Sequence, residues 1–340
     1  MTTDLPAASQ KVAVIGAGSW GTALATIAAR NHHDVKLWAR EPEVANEINL
    51  THRNPYYLST FELPTNISAT TDVSNVIEDA DFVLLVVPSH AMRETVGRLR
   101  SNLAARTILV NAAKGVETTT LLRMEQVITE ALEEQIEARY VALSGPSFAF
   151  EVVKGEPTAI VAASRNPDAS QRIQASFSSG AFRVYTNTDV IGVELGGAVK
   201  NVVAIASGVV RGLGFGTNAV AAIITRGLAE MTRLALAQGA RAETMAGLAG
   251  LGDLVLTCTG ELSRNRHVGL ELGRGRKLSE ILGEMREVAE GVKTTSSIFE
   301  LGRRLGIDMP ITASIHALLY QDKPAIEAAN ELMGRPLKRE

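Results

Sequence analysis

Three glycines near the start of the chain constrain its fold more than any other feature. Gly16, Gly18 and Gly21 stand in the pattern GxGxxG. The apolar run at residues 12–15 comes directly before them, and a helix-like stretch at residues 22–30 follows. In this order of strand, turn and helix, the glycines permit a tight turn, a close approach of the pyrophosphate and close packing of helix on strand. The pattern therefore predicts a turn that binds a nicotinamide or flavin nucleotide.

The rest of the first half of the chain continues the same alternation of strands and helices. A second strand-like run at residues 34–38 completes a βαβ unit. Runs that are apolar on both faces are typical of parallel strands buried between layers of helices. We expect such strands at residues 12–15, 35–38, 82–87, 107–111, 140–144 and 158–163. The first half is thus predicted to be an α/β domain of the doubly wound, Rossmann type.

The second half of the chain has a different pattern. After Gly192 long Ala/Leu/Val-rich segments take over, with apolar residues at helical spacing in residues 193–210 and 218–238. Glycine-rich stretches at residues 211–216 and 247–252 are predicted to interrupt these helices. A chain of 340 residues also exceeds the ~250 to 300 at which single cores stop growing. We therefore predict a dinucleotide-binding domain over residues 1–190 and an all-helical substrate-binding domain over residues 191–340, with the active-site cleft between them.

Composition excludes several classes of partner. The formal net charge of −3 predicts no nucleic-acid partner. Residues 1–10 lack the basic and apolar regions of a secretory signal, and the run at residues 82–87 is far shorter than the ~20 residues that span a bilayer. Cys258 is the only cysteine, so no intrachain disulfide can form, and we expect a cytoplasmic protein. The six histidines are scattered, which predicts no metal site.

Two lysines stand among small or apolar neighbours. Lys114 follows the end of a predicted strand, the edge of a doubly wound sheet from which ligand groups project. Its alternative is a solvated loop lysine. Lys200 interrupts an otherwise apolar helix, where a buried ammonium is costly unless it is paired or used. Its alternative is a snorkelling side chain with the charge in water.

Three further features bear on chemistry. Asp253 follows a glycine-rich turn, from which it can pair with Lys200 or serve as a helix N-cap. The run of Ser263, Arg264 and Asn265 offers a guanidinium with hydroxyl and amide donors, suited to a phosphate, although such a run is also a common polar loop. For Cys258, we expect a small buried residue rather than a nucleophile.

Eight stretches, taken in order, resemble the bacterial NAD(P)-dependent glycerol-3-phosphate dehydrogenases. They extend from about Lys11 to about Tyr320 and include the clusters just described. The stretches are residues 16–24, 87–90, 113–115, 144–149, 194–201, 250–254, 263–265 and 288–291. Any one of them would be weak evidence, whereas eight in sequence are highly specific.

The resemblance implies the reversible reduction of dihydroxyacetone phosphate to sn-glycerol 3-phosphate, the backbone precursor of phospholipids. It implies that Lys200 is the proton donor and acceptor, with Lys114 and Asp253 beside the substrate. The apolar helix around Lys200 and the charge of Lys114 would lower the pKa of Lys200, whereas Asp253 opposes that shift, and the sequence does not decide which effect is larger. The other residues that the resemblance places at the substrate are Gly145, Ser147, Ser263, Arg264 and Asn265, with Arg264 also reaching the cofactor.

The resemblance also implies a set of residues at the dinucleotide. In addition to Gly16, Gly18 and Gly21 of the glycine pattern, they are Ser19, Trp20, Arg40, Tyr57, Lys114, Ala149, Arg264, Val288 and Glu290. Folds selective for NAD place an acidic residue about 20 residues beyond the glycines to bind the ribose. Here Arg40 occupies that place, which predicts a preference for NADP over NAD, while the neighbouring Glu41 could serve NAD.

Besides the small-molecule substrate, we expect a second copy of the chain in a homodimer. The nearest alternative activity is that of a β-hydroxyacid or ketopantoate-type dehydrogenase, which recognises a carboxylate and does not need the Ser-Arg-Asn run. A sugar-nucleotide dehydrogenase would need a nucleophilic cysteine. A non-catalytic NAD(P)H-sensing protein is the alternative from another class, and it should tolerate loss of the two lysines that this chain retains.

Overall fold

The computed structural model describes residues 9–285 and 289–336, and the chain divides into two compact units. The first unit comprises Met1–Ala113 and Met124–Val190. The second comprises Lys114–Arg123 and Ile191–Glu340. Each unit has its own cluster of buried apolar side chains.

The first unit is built on one eight-stranded sheet with the strand order β3-β2-β1-β4-β5-β6-β7-β8. The strands are β1 (Lys11–Ile15), β2 (Asp34–Trp38), β3 (Ile67–Thr70), β4 (Phe82–Leu85), β5 (Ile108–Asn111), β6 (Tyr140–Ser144), β7 (Thr158–Ala163) and β8 (Phe182–Asn187). Strand β1 pairs in parallel with β2 on one side and with β4 on the other. The strand order therefore reverses at β1, and ligands of such sheets bind outside the carboxyl ends of the strands at this point.

Seven α-helices in the described part of the first unit connect these strands. They are α1 (Ser19–Arg30), α2 (Pro42–Thr51), α3 (Val73–Ile77), α4 (Met92–Leu99), α5 (Met124–Leu132), α6 (Ala149–Lys154) and α7 (Pro167–Phe177). Short 3-10 turns lie at Ser89–Ala91 and Glu137–Arg139. The prediction of a doubly wound, Rossmann-type α/β fold is confirmed for the first half of the chain.

Two details of the predicted sheet are wrong. Strands β3 and β8 were not expected, because their side chains alternate between buried and exposed instead of being apolar on both faces. Strands β6 and β7 pair antiparallel, whereas a parallel sheet was predicted. Burial on both faces shows that a strand is central, but it carries no information on the direction of its neighbour.

The second unit is helical, as predicted. Its helices are α8 (Val190–Gly212), α9 (Thr217–Ala237), α10 (Ala242–Ala246), α11 (Asp253–Thr259), α12 (Arg264–Gly273), α13 (Leu278–Glu284), α14 (Glu290–Arg304), α15 (Pro310–Tyr320) and α16 (Ala325–Met333). Helices α8 and α12 approach closely at a glycine contact. A Cβ atom on Gly208 would lie 2.1 Å from the carbonyl oxygen of Arg266, so only glycine fits there.

The two predicted interruptions have different outcomes. Residues 211–216 do separate α8 from α9. Residues 247–252 are not a simple break, because Leu248–Gly252 forms a π-helical turn that runs directly into α11. Asp253 is consequently the first residue of α11 rather than a helix N-cap, which corrects one of the two readings of this residue. Its carboxylate therefore does not cap this helix and is available to pair with another side chain.

In the described part of the chain, α8 is the helix long and apolar enough to cross a bilayer by length and composition. Of its most apolar 18-residue window, 94% is buried inside the structure. That burial is typical of a core helix. It is also why the side chains of α8 form the centre of the second unit's core.

Candidate active site

Two lysine side chains of the second unit meet at one buried carboxylate. The ammonium of Lys200, from α8, donates to Oδ1 of Asp253 at 2.6 Å. The ammonium of Lys114 donates to Oδ2 of the same residue, also at 2.6 Å. The side chains of Lys200 and Asp253 are 7% and 1% exposed, and that of Lys114 is 16% exposed. Neither lysine therefore holds its charge in open solvent, which was the alternative for each of them. The predicted pairing of Asp253 with Lys200 is present.

Sequence reasoning missed a fourth member of this cluster. Lys200 Nζ also donates to Oγ1 of Thr257 at 2.7 Å, and that hydroxyl donates to the backbone oxygen of Asp253 at 2.6 Å. Thr257 lies four residues after Asp253 on α11, so the two face the same side of the helix. The four-residue spacing of Asp253 and Thr257 is present in the sequence. It was not interpreted as one helix face because a flexible turn was expected at Asp253.

The net effect of the surroundings of Lys200 is to lower its pKa. Burial lowers the pKa of Lys200 to about 8, helped by the charge of Lys114 and opposed by Asp253. Burial by itself raises the pKa of Asp253, but the charges of Lys114 and Lys200 outweigh it and hold that pKa below its usual range. Lys200 can therefore change protonation near neutral pH while Asp253 stays ionised.

A short hairpin carries Lys114 within the second unit. Val116 and Arg123 form an isolated antiparallel bridge, and the backbone N–H of Glu117 donates to the oxygen of Leu122. Nη1 of Arg123 donates to Glu194 of α8 at 2.6 Å, with side-chain exposures of 8% and 3%. This buried ion pair fixes the hairpin to the helix that carries Lys200.

The Ser-Arg-Asn run forms the start of α12 and is not a plain polar loop. Ser263 is the N-cap, and its hydroxyl oxygen accepts from the backbone N–H of Arg266. Arg264 is the exposed first residue of the helix. Asn265 is buried, and its Oδ1 accepts from the N–H of Gly291 at 2.9 Å. The guanidinium is thus presented to solvent at a helix N-terminus, which favours anions.

The start of α14 lies beside this run and beside the helix of Lys200. A Cβ atom on Gly291 would lie 2.6 Å from Oδ1 of Asn265 and 2.9 Å from the carbonyl oxygen of Asn201. Asn201 directly follows Lys200, so the starts of α12 and α14 converge next to the catalytic candidate. Glu290, predicted at the cofactor, is the first residue of α14. Val288, predicted with it, lies outside the described residues.

Cys258 is buried, as expected, and is 1% exposed. Burial raises the pKa of its thiol to about 12. A thiol with this pKa stays protonated at neutral pH and is a poor nucleophile. The reading of Cys258 as a packing residue is confirmed.

The glycine turn of the first unit has the geometry that a dinucleotide needs. Gly16 has a φ of +123°, and a Cβ on Gly21 would lie 1.8 Å from the carbonyl oxygen of Gly16. At Gly18 a Cβ would meet no described atom within 4 Å, so space for a pyrophosphate adjoins this backbone. Ser19 and Trp20 begin α1, whose N-terminus favours an anion. Nε1 of Trp20 is buried without a hydrogen-bond partner among the described residues, a position where an added acceptor is stabilising.

Two further residues predicted at the dinucleotide, Arg40 and Tyr57, lie just after β2 and after α2. Nε and Nη2 of Arg40 both donate to Oε1 of Glu41, at 2.9 and 2.6 Å. The Arg40 side chain is 81% exposed, so this pair is weak and can exchange for a phosphate. The backbone N–H of Tyr57 donates to Asn54, whereas the hydroxyl of Tyr56 donates to Glu43 at 2.5 Å. The Tyr56 hydroxyl is thus already engaged.

Gly145, Ser147 and Ala149 follow β6 in the same unit. Gly145 comes directly after the strand, and the hydroxyl of Ser147 donates to its carbonyl oxygen at 3.0 Å. Ala149 is the first residue of α6. All three therefore lie just beyond the carboxyl end of a sheet strand, the edge where Gly16 and Gly18 follow β1.

Residues 9–285 and 289–336 contain no group of three His, Cys, Asp or Glu side chains placed to hold a metal ion.

Comparisons with known proteins cover nearly the whole chain. Models of the N-terminus and C-terminus of NAD-dependent glycerol-3-phosphate dehydrogenase match residues 11–170 and 189–330. Glycerol-3-phosphate dehydrogenase [NAD(P)+] of Geobacter sulfurreducens is 53% identical over 98% of this chain and 99% of its own length. The crystal structure of glycerol-3-phosphate dehydrogenase from Coxiella burnetii has a TM-score of 0.92 at 39% identity, covering 96% of this chain and 99% of that one.

A rival suggested by the sequence shares only the fold. A PanE/ApbA family ketopantoate reductase from Ralstonia eutropha has a TM-score of 0.62 at 20% identity, covering 94% of this chain and 99% of that one. Both halves of the chain, by contrast, match the models named above, and the buried lysine–aspartate centre lies in the segment matched by the C-terminal one. The chain therefore belongs to the NAD-dependent glycerol-3-phosphate dehydrogenase family.

Proposed function

We propose that this chain catalyses the NAD(P)H-dependent, reversible reduction of dihydroxyacetone phosphate to sn-glycerol 3-phosphate, with Lys200 as the proton donor and acceptor. The observation that carries the proposal is the buried ammonium of Lys200, held by Asp253 and Thr257 and given a pKa of about 8 by burial. An acid–base group works best when its pKa lies near the working pH. An ordinary lysine would hold its proton too tightly to accept one from an alcohol.

The reaction requires a proton at the carbonyl oxygen as that oxygen becomes an alkoxide. A nicotinamide held by the first unit would supply a hydride to the ketone carbon. An ammonium has three N–H bonds, and Lys200 directs two of them to Asp253 and Thr257. We assign the third to the substrate oxygen, where it stabilises the developing charge and then transfers its proton. In the reverse direction the neutral amine accepts the alcohol proton, while Lys114 adds a fixed positive charge beside it.

Arg264 and its neighbours are assigned to the substrate phosphate. A dianion needs several donors with positive charge, and Arg264 stands exposed at the N-terminus of α12 between Ser263 and Asn265. The cap hydroxyl of Ser263 keeps its own hydrogen for donation, because it serves the helix as an acceptor. A carboxylate substrate such as ketopantoate has no need of this arrangement.

The remaining assignments follow the geometry of each unit. The glycine turn, Ser19 and Trp20 are assigned to the dinucleotide, with Arg40 on the 2′-phosphate of the preferred NADP. Gly145 and Ser147 are assigned to the substrate. The other residues assigned to the cofactor are Tyr57, Lys114, Ala149, Arg264, Val288 and Glu290. We place the protein in the cytoplasm as a homodimer that supplies glycerophospholipid synthesis.

The substitution Lys200→Met tests the central assignment. It should lower kcat for dihydroxyacetone phosphate by ~10²-fold or more, the usual contribution of a positioned acid–base group. NADPH binding, measured by fluorescence titration, should stay close to that of the unaltered protein. Lys200→Arg should not restore activity, because a guanidinium stays protonated and has another shape. A kcat within threefold of the unaltered protein would remove Lys200 from the mechanism.

The substitution Arg264→Ala tests the phosphate assignment. Loss of a charge-assisted contact should reduce kcat/KM for dihydroxyacetone phosphate by roughly 2 to 3 kcal/mol, mainly through KM. Unphosphorylated dihydroxyacetone is the matched control, since its poor turnover should hardly change. Equal losses for both substrates would remove the phosphate role of Arg264 and leave only its cofactor contact or a role in packing. NADPH oxidation with ketopantoate in place of dihydroxyacetone phosphate tests the rival activity in the same assay.

A further inference from the structure

Asn54 is a fully buried polar side chain that no assignment above uses. It lies in the connection between α2 and β3 and has no exposed surface. Its amide nitrogen donates to the carbonyl oxygen of Ala17 at 2.9 Å and to Oγ1 of Thr22 at 3.0 Å. Its amide oxygen accepts from the backbone N–H groups of Tyr56 and Tyr57, both at 3.1 Å.

These four bonds use the full capacity of the side chain. An Asn amide has two N–H donors and an oxygen with two lone pairs. Its orientation is fixed by its partners, because the carbonyl of Ala17 only accepts and the N–H groups of Tyr56 and Tyr57 only donate. A buried amide with every bond satisfied is rigid, and breaking its network is costly.

The network joins two segments that are distant in sequence. Ala17 lies within the glycine turn, between Gly16 and Gly18, and Thr22 lies in the first turns of α1. Thr22 also donates its hydroxyl hydrogen to the oxygen of Ala17 at 3.3 Å. The second segment contains Asn54 and Tyr57. Asn54 lies 37 residues after Ala17 in the sequence.

The contact with Ala17 also orients the next peptide group. In a planar trans peptide the C=O and the following N–H point in opposite directions. Because Asn54 and Thr22 hold the Ala17 carbonyl toward the protein interior, the N–H of Gly18 is directed the other way. The space without described atoms around Gly18 is where the pyrophosphate is assigned.

We propose that Asn54 is a positioning residue for the dinucleotide: it holds the glycine turn and the Tyr57 segment in their binding geometry before the cofactor arrives. The inference rests on the proposed assignment of those two segments to the cofactor. A binding site that is already ordered loses less entropy when its ligand binds, so removing the clamp weakens binding. Asn54 itself acts through Ala17, Thr22 and Tyr57 rather than by contact with the cofactor.

The substitution Asn54→Leu, similar in size and without hydrogen bonds, tests this role. Asn49→Leu is the control for the same chemical change, because the exposed Asn49 bonds both backbone groups of Ala69 in β3 through its amide N and O, at 2.8 Å each, away from the glycine turn. The dissociation constant for NADPH, measured by fluorescence titration, should rise roughly 10-fold or more in Asn54→Leu. It should change less than about twofold in Asn49→Leu, although both variants lose thermal stability.

A second variant keeps the test decisive if Asn54→Leu folds poorly. Thr22→Val preserves shape and removes the hydroxyl that links Asn54 to the turn, so it should raise the NADPH dissociation constant roughly 3-fold. Combined with Asn54→Leu it should add less than its own effect, because both act on one network. Normal NADPH affinity in Thr22→Val, or equal losses in Asn54→Leu and Asn49→Leu, would overturn the proposal. Failure of the unaltered protein to bind NADPH would instead contradict the proposed function.

Discussion

At the scale of single residues, the centre of the second unit is a balance of charges around Lys200. Burial lowers the pKa of Lys200 to about 8. Ketone reduction needs the protonated form, so kcat/KM for dihydroxyacetone phosphate should be level below about pH 8 and fall roughly tenfold per pH unit above it. Oxidation of glycerol 3-phosphate needs the neutral amine and should rise up to that pH and then level. Both profiles are measured from initial rates, and identical trends in the two directions would contradict this role.

The neighbours of Lys200 should move this pH dependence in opposite directions. Lys114 lowers the pKa of Lys200, so Lys114→Met should shift the falling limb of reduction to higher pH. Asp253 raises that pKa, so Asp253→Asn should shift the limb to lower pH. The exposed Lys277 is the control, and Lys277→Met should leave the profile in place. Shifts of the same sign in both site variants would contradict the charge balance described here.

The sequence predicted the charged members of this centre but not its neutral ones. Lys114, Lys200 and Asp253 stood out because charge among small and apolar residues is costly unless it is used. Thr257 and Asn54 gave no such signal, since a hydroxyl or an amide is common in loops and helices. Their roles depend on which backbone groups they reach, and this follows only from the folded chain.

At the scale of secondary structure elements, the sequence predicted central strands better than edge strands. The runs at β1, β4, β5, β6 and β7 are apolar because both of their faces are largely covered, whereas β2 alternates in burial and was predicted from its place in the βαβ unit. Strands β3 and β8 form the two ends of the sheet, and their alternating side chains resemble ordinary loop sequence. The antiparallel pairing of β6 and β7 depends on how the chain returns between them, which composition does not encode.

The buried pair of Arg123 and Glu194 should stabilise the hairpin that carries Lys114. Arg123→Met removes the positive charge that pairs with the buried carboxylate of Glu194. It should lower the free energy of unfolding by about 3 to 5 kcal/mol. Replacing both residues by Met should recover much of this loss, because the buried carboxylate that lost its arginine is then gone. The free energy is measured by urea denaturation.

An exposed pair provides the control for this measurement. Arg98 and Glu94 pair on the surface of α4, with side-chain exposures of 58% and 74%. Arg98→Met should change stability by less than about 1 kcal/mol, since exposed ion pairs contribute little. Similar losses for Arg98→Met and Arg123→Met would show that burial does not govern the effect.

At the scale of the whole molecule, cofactor preference should be visible as a difference in thermal stability. A ligand that binds the folded chain stabilises it by RT ln(1 + [L]/Kd), so the tighter cofactor gives the larger increase in Tm at equal concentration. If NADPH binds ~10-fold more tightly than NADH, the difference is about 1.4 kcal/mol, or roughly 3 to 6 °C for a unit of 150–250 residues. Arg40 is assigned to that preference because it stands at the end of β2 with its guanidinium mostly exposed.

The substitution Arg40→Ala should remove this difference. Without the guanidinium, the 2′-phosphate of NADPH loses its charged partner, while NADH, which lacks that phosphate, should stabilise the protein as before. Arg30→Ala, at the exposed end of α1, removes the same charge from the same unit and should leave both Tm increases unchanged. The measurement is differential scanning fluorimetry with each cofactor at one saturating concentration. If the unaltered protein is stabilised more by NADH, Glu41 rather than Arg40 determines the cofactor at this position.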